Sequence, residues 1–267
     1  SVEFPAMFFL TFFISDISVS FPDITYSFYK VWVELFRMPY ECKKVDENFH
    51  IIKEDYYPEN GGVIFPNPNA PTSIYEDLEF VEDIIRHNQD VIVIVDEAYI
   101  DFAGESALSL LDKYDNLIIT QTFSKARSMA GMRIGYAIAS PLLIKYLNDA
   151  KYSFNSYTMN KTSLVYGAEA VKDKEYFAET TRKIVETRDW AEEEFKKLGF
   201  VFPKPSANFI FVSHPEYDAK ELFEAMKAKG IYVRFWGSER IEQYLRVTIG
   251  TREEMEALFA FLREYMM

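Results

Sequence analysis

This chain is short of the residues by which several common protein classes declare themselves. Cys42 is its only cysteine, so no intrachain disulfide can form and nothing points to an oxidising compartment. The cytoplasm is the expected setting. Basic residues are scarce, 29 against 42 acidic ones for a formal net charge of -13, whereas a nucleic-acid partner calls for a basic face. No nucleic acid is expected. The three histidines, His50, His87 and His214, are widely separated with no ligand spacing, so no metal is expected either. No apolar run reaches the ~20 residues of a membrane span. The apolar opening FPAMFFLTFFI lacks a basic leader and a small-residue cleavage site, and reads as a buried helix. Repeats are absent, and GMRIG fits neither a Walker loop nor a dinucleotide fingerprint.

What is present is a globular composition. Of 267 residues, 49% are hydrophobic and 17% aromatic, enough for a large core and for two lobes. VSF at 19–21, GVIF at 62–65, VIVIV at 91–95, LIIT at 117–120 and IGYAIA at 134–139 are short and continuously apolar. Parallel strands buried on both faces have that texture. Helical patterns lie between them, EDLEFVEDIIRHN and PLLIKYLNDA among others, so the expected class is α/β with a mainly parallel sheet.

After about residue 155 the pattern changes. A long charged amphipathic helix ends on Gly199. NFIFV, a helix opened by a capping box from Asp218 to Glu221, the strands IYVRF and YLRVTI, and a last helix capped by Thr251 with Glu254 follow. Residues 1–155 are therefore expected to form a larger domain and 156–267 a smaller α+β one.

The polar residues cluster just past the carboxyl ends of the expected strands, the edge where open parallel sheets bind ligands. VIVIVDEAY brings Asp96 and Tyr99 there, GVIFPNPNAPTS brings Asn67 and Asn69, and LIITQTFSK brings Thr122, Ser124 and Lys125. An amine kept from water is a nucleophile able to form an imine with an aldehyde. A carboxylate at a dry strand tip needs a cation, and a pyridinium nitrogen would serve. The hydroxyls of Thr122 and Ser124, backbone N–H groups and the fork of Arg133 suit a phosphate. Aldehyde, pyridine and phosphate together describe pyridoxal 5′-phosphate.

NPNAPTS, VIVDEAYIDF, TFSKARSMAGMRIGYAIA and YLRVTIGTREE, in this order and spacing, resemble the fold-type I, pyridoxal-phosphate-dependent aminotransferases of class I/II. Within that family the likeness is greatest to the branch acting on histidinol phosphate. It implies a homodimer exchanging an amino group between histidinol phosphate and 2-oxoglutarate, by a ping-pong route through Lys125. In that likeness Lys125 is the Schiff-base lysine, Asp96 the partner of the ring nitrogen and Tyr99 the donor to the ring oxygen. Thr122, Ser124 and Arg133 hold the cofactor phosphate, and Tyr26 stacks on the ring. Arg246 clamps the substrate carboxylate and Arg234 the substrate phosphate. Phe28 and Tyr29 are read as core.

Two departures from the family pattern stand out. Ala70 occupies the place of the asparagine that binds the ring oxygen, with Asn69 as a substitute from one position earlier. The sequence also begins inside what resembles the family's Gly-Ser-Asp-Glu turn, keeping Ser1 and Glu3 with Val2 where Asp is usual, so that about a quarter of the usual family chain is expected to be absent from it, by truncation or by departure from the family. Aromatic aminotransferases and threonine-phosphate decarboxylases share the lysine, aspartate and arginine. A catalytically silent scaffold of the same fold is the alternative from another class.

Overall fold

The structure is a computed structural model that describes residues 3–267, so the expectation placed on Ser1 and Val2 lies outside it. Six strands form the larger sheet: β1 (Val19–Pro22), β2 (Tyr40–Lys43), β3 (Val63–Pro66), β4 (Val93–Asp96), β5 (Leu117–Thr122) and β6 (Gly135–Ala139), in the order β2-β1-β3-β4-β5-β6. The first five run parallel. The central runs are apolar throughout because both faces are covered. Val63, Phe65, Val93, Val95, Leu117 and Ile119 pack on Val81, Ile84 and Ile85 of α3 (Leu78–His87). Their alternates Ile64, Ile94 and Ile118 pack with α1 (Glu3–Phe12), α2 (Phe28–Leu35) and α4 (Pro141–Phe154). Each fully buried aliphatic side chain of this kind contributes about 1.5–3 kcal/mol.

Contrary to the expectation that IGYAIA adds another parallel strand, β6 runs antiparallel to β5. The connection from 123 to 134 holds a 3-10 turn at Ala130–Met132 and Arg133 in the left-handed conformation, φ 56°, and no crossover helix. Without that helix the chain returns directly alongside the strand it left.

The second sheet is antiparallel: β7 (Phe209–Val212), β8 (Arg234–Phe235) and β9 (Leu245–Thr248), ordered β7-β9-β8. It packs with α6 (Lys174–Lys197), α7 (Ala219–Ala228) and α8 (Arg252–Tyr265) around Phe195, Ile210, Leu222, Val247 and Phe259. α5 (Lys161–Lys172) precedes this group. Gly199, at φ +83°, takes the left-handed step that stops α6. Thr251 and Glu254 form the full capping box at α8, whereas at α7 the Asp218 carboxylate accepts from the N–H groups of Lys220 and Glu221.

Besides apolar packing, hydrogen bonds of Ser73, Arg188 and Arg240 tie the two sheets together. Ser73 Oγ accepts the N–H groups of Ser206 and Ala207 at 3.0 and 2.8 Å. Arg188 of α6 donates to the carbonyls of Phe102 and Ala207 at 2.9 and 3.1 Å. Arg240 pairs with Asp23 at 2.9 Å and donates to the carbonyls of Val45 and Asp46. Among the described residues no helix is long and apolar enough to cross a membrane, and no cluster of His, Cys, Asp or Glu could hold a metal ion.

Candidate active site

Parallel strands all finish at one edge, so the turns after β1, β3, β4 and β5 meet there. In β4 the burial pattern opens only at its last residue, Asp96, which lies in register with Pro66 of β3 and Thr120 of β5. The Asp96 carboxylate accepts from the Tyr29 phenol at 2.8 Å and from the Ala98 N–H at 3.2 Å. Burial pushes its carboxyl above the ordinary range, against the hydrogen bonds from Tyr29, Ala98 and Thr120 and the positive field of Lys125. Strand alternation sends the neighbouring Glu97 to the opposite face, where Ser106, the Ala107 N–H and Gln121 bind it. Two adjacent acids thus have separate fates.

Lys125 is half-buried, and its Nζ lies 4.9 Å from the centre of the Tyr99 ring. Among the described residues no carboxylate forms an ion pair with it. Tyr99 is itself buried, edge-on to Phe209 at 5.0 Å. Thr122 Oγ1 lies within hydrogen-bond reach of Ser124 Oγ and of the Ile134 carbonyl, at 3.0 and 3.2 Å, and accepts from the Ser124 N–H. Arg133 is exposed, with one guanidinium nitrogen donating to the Ala130 carbonyl at 2.8 Å. Tyr26 reports on the whole group: burial raises its phenol pKa first, the negative fields of Asp96 and Tyr99 add to this, and Arg133 opposes them. The structure therefore gathers Tyr26, Asp96, Tyr99, Lys125 and Arg133, with Thr122 and Ser124 at the tip of the adjoining strand.

Asn69 is turned away. Its carbonyl accepts from Thr25, and its amide donates to the Ile24 carbonyl and to Thr72, so it is occupied in holding two loops together. Asn67 is likewise closed on the backbone of Glu76. Ala70, by contrast, lines the cavity.

That cavity measures about 570 Å³, and its walls include Tyr26, Ala70, Arg234, Trp236 and Arg246. Arg234 and Arg246 are directly paired across β8 and β9. The Arg246 guanidinium lies 4.9 Å from the Phe209 ring and 5.5 Å from Trp236. Among the described residues its buried Nε has no hydrogen-bond acceptor, and burial lowers its pKa, as does the neighbouring Arg234, against the field of Tyr99. A half-buried, stacked cation with no anion beside it among the described residues is suited to receive one.

The description "aminotransferase class I and II" matches residues 2–262 of this sequence. This chain belongs to the class I and II aminotransferases. Among curated relatives of this aminotransferase, the histidinol-phosphate aminotransferase of Clostridium beijerinckii is 47% identical over 263 residues, covering 98% of this chain and 74% of the relative. That of Lactococcus lactis subsp. lactis is 45% identical over 266 residues, 100% of this chain and 74% of the relative. The chain thus spans about three quarters of their length. In fold it is similar to histidinol-phosphate aminotransferase from Sinorhizobium meliloti in complex with pyridoxal-5′-phosphate, at TM-score 0.85, 23% identity, and coverage of 98% of this chain and 73% of that one.

Sequence reasoning about this aminotransferase missed the contact between Tyr29 and Asp96, reading Tyr29 as core alone. A phenol one helical turn from Tyr26 was the available signal. It also missed Phe209 and Trp236 as the rings beside Arg246, because aromatic side chains in or next to a strand look alike whether they support a core or an arginine.

Proposed function

We propose that this aminotransferase exchanges an amino group between histidinol phosphate and 2-oxoglutarate, yielding imidazole-acetol phosphate and glutamate, with pyridoxal 5′-phosphate as cofactor. The observation that carries the chemistry is the Lys125 amine, half-buried over Tyr99, without a carboxylate partner among the described residues and within the field of Asp96. What supports the substrate is the activity named for the curated relatives. The residues fit the cofactor. Asp96 is a desolvated carboxylate with no ion pair among the described residues, and a cationic ring nitrogen would compensate it.

Pyridoxal phosphate, when bound, supplies an aldehyde that condenses with amines and a ring that withdraws electrons. Lys125 would be the amine that carries it between turnovers, and its Nζ would afterwards hold and move the proton at the reacting carbon. Asp96 would keep a proton on the ring nitrogen, and Tyr99 would donate to the ring oxygen. Thr122, Ser124 and Arg133 would bind the phosphate, and Tyr26 would cover the ring. Arg246 would bind the glutamate carboxylate and Arg234 the phosphate of histidinol phosphate. We assign Asn69 to the loops rather than to the ring oxygen, since its amide is already engaged.

In this reading residues 1–155 bind the cofactor and 156–267 form the smaller domain, and the enzyme is a cytoplasmic homodimer with no nucleic-acid or membrane partner. Leu142, Tyr146, Tyr152, Leu164 and Val165 are exposed on α4 and α5 and offer apolar area to a second subunit. The test is to add pyridoxal phosphate to the purified protein and read the absorbance change of imine formation, then repeat it with Lys125→Ala. A change abolished in the variant, with glutamate-dependent turnover of imidazole-acetol phosphate exceeding that of aromatic oxo acids, is the expected result. Flat absorbance in the parent protein overturns the cofactor, and preference for an aromatic oxo acid overturns the substrate.

A further inference from the structure

Tyr29 packs like a core residue and bonds like a site residue. It is 1% exposed, with Phe9, Phe21 and Tyr26 against its ring at centroid distances of 6.3, 6.0 and 5.6 Å. Three aromatic neighbours fix the ring in place. Its phenol reaches across to the end of β4 and donates to Asp96 Oδ2 at 2.8 Å, while Oδ1 accepts the Ala98 N–H at 3.2 Å. Each oxygen of the carboxylate thus has a donor, which fixes its orientation and leaves the remaining lone pairs for a ligand.

We propose that Tyr29 is a positioning residue for the reaction, whose phenol sets both the orientation and the charge of the Asp96 carboxylate and so keeps the shared proton on the cofactor's ring nitrogen. The inference rests on the pyridoxal phosphate reading above. The physical reason is a competition for one proton. A buried carboxylate gains proton affinity from desolvation, and a carboxylate that takes the proton from the ring weakens the electron withdrawal for which the ring is used. A phenol donating to the carboxylate favours its charged form and leaves the proton on the nitrogen. Tyr29 is well placed for this because burial and the adjoining Asp96 charge both push its own ionisation far up, so it remains a donor throughout the working pH range.

Thr120 is a further, weaker donor to the carboxylate, and among the described residues no charged or titratable group around Asp96 duplicates the contact. Lys125 acts on it through space, and Tyr26 and Tyr99 bear no hydrogen bond to it among the described residues. Packing alone predicts a different outcome on substitution. Tyr29→Phe keeps the ring that Phe9, Phe21 and Tyr26 enclose and deletes only the donor.

Two measurements on Tyr29→Phe test the proposal. In protein free of cofactor, the Asp96 carboxyl carbon followed by 13C NMR is expected to titrate at higher pH than in the parent. In protein loaded with 15N-labelled pyridoxal phosphate, the ring-nitrogen resonance is expected to move from the pyridinium toward the neutral pyridine position. kcat should fall by about ten- to a hundredfold, the range spanned by a hydrogen bond to a charged group, with KM changed less. An unchanged Asp96 titration together with an unchanged ring-nitrogen resonance overturns the proposal. Should Tyr29→Phe fail to fold, fluorotyrosine inserted at position 29 supplies a more acidic phenol. It should move the Asp96 titration to lower pH, and no movement overturns the proposal equally. If the parent protein takes up no pyridoxal phosphate, the cofactor reading fails, while the cofactor-free titration still decides whether Tyr29 governs Asp96.

Discussion

Arg246→Met should leave the protein as stable as before, or slightly more so, while removing most of its activity. Arg246 is embedded between Phe209 and Trp236, beside the like charge of Arg234, with its buried Nε lacking an acceptor. The two ring contacts contribute about 0.5–1 kcal/mol each. Leaving a buried donor unmatched costs about 1–3 kcal/mol. Methionine of similar length retains the packing and carries no charge, so the middle of these ranges gives a net change of about 0.5 kcal/mol in favour of the variant, and a Tm higher by about 1–2 °C. A carboxylate held by the guanidinium through two charge-assisted hydrogen bonds is worth about 3–6 kcal/mol, which is about a hundred- to ten-thousandfold in kcat/KM for glutamate. Thermal melts without substrate and steady-state kinetics with glutamate check the two halves separately. A Tm lowered by more than about 5 °C with kcat/KM nearly intact would refute the reasoning and make Arg246 a structural residue.

Two further outcomes concern stability. Arg188→Leu leaves the carbonyls of Phe102 and Ala207 without their donor, and is expected to cost about 2–5 kcal/mol, read as a lower midpoint in urea at unchanged slope. Asp83 receives hydrogen bonds from Tyr57, Lys53 and Arg86, the first two being the largest causes that hold its carboxyl well below the usual range. A depressed carboxylate stabilises above its unfolded pKa, so the advantage of the parent over Asp83→Asn should be full at neutral pH and shrink as pH falls below about 4. Melting curves from pH 7 down to pH 3 check the sign, and an advantage that grows on acidification would contradict it.

The central strands were legible because burial on both faces demands continuous apolar runs, and β3, β4 and β5 satisfy that demand. β2 was not legible: Tyr40–Lys43 reads YECK, lies at the sheet edge, and is partly or fully exposed along its length. An edge strand needs no apolar pattern, only a neighbour to pair with. The direction of β6 was hidden for a related reason, since apolarity reports burial and says nothing about which way a strand runs. IYVRF was expected to pair over its length, but only Arg234–Phe235 do so. In the candidate site, residue types following strand ends pointed to Asp96, Tyr99 and Lys125, and topology delivers all three to one edge. The inward turn of Asn69 depends on Thr25, Ile24 and Thr72, partners that no spacing in the sequence identifies.

The stitch from Ser73 to Ser206 and Ala207 bears on selection among substrates. It fastens the loop after β3 to the chain entering β7, and Phe209, two residues beyond Ala207, meets Tyr99 on one side and Arg246 on another. Through the contact of Tyr99 with Phe209, the amine over one ring and the guanidinium over the other are mounted on one frame, like the jaws of a caliper. With Lys125 and Arg246 in the roles proposed above, that frame would set the interval between the reacting carbon of glutamate and its carboxylate.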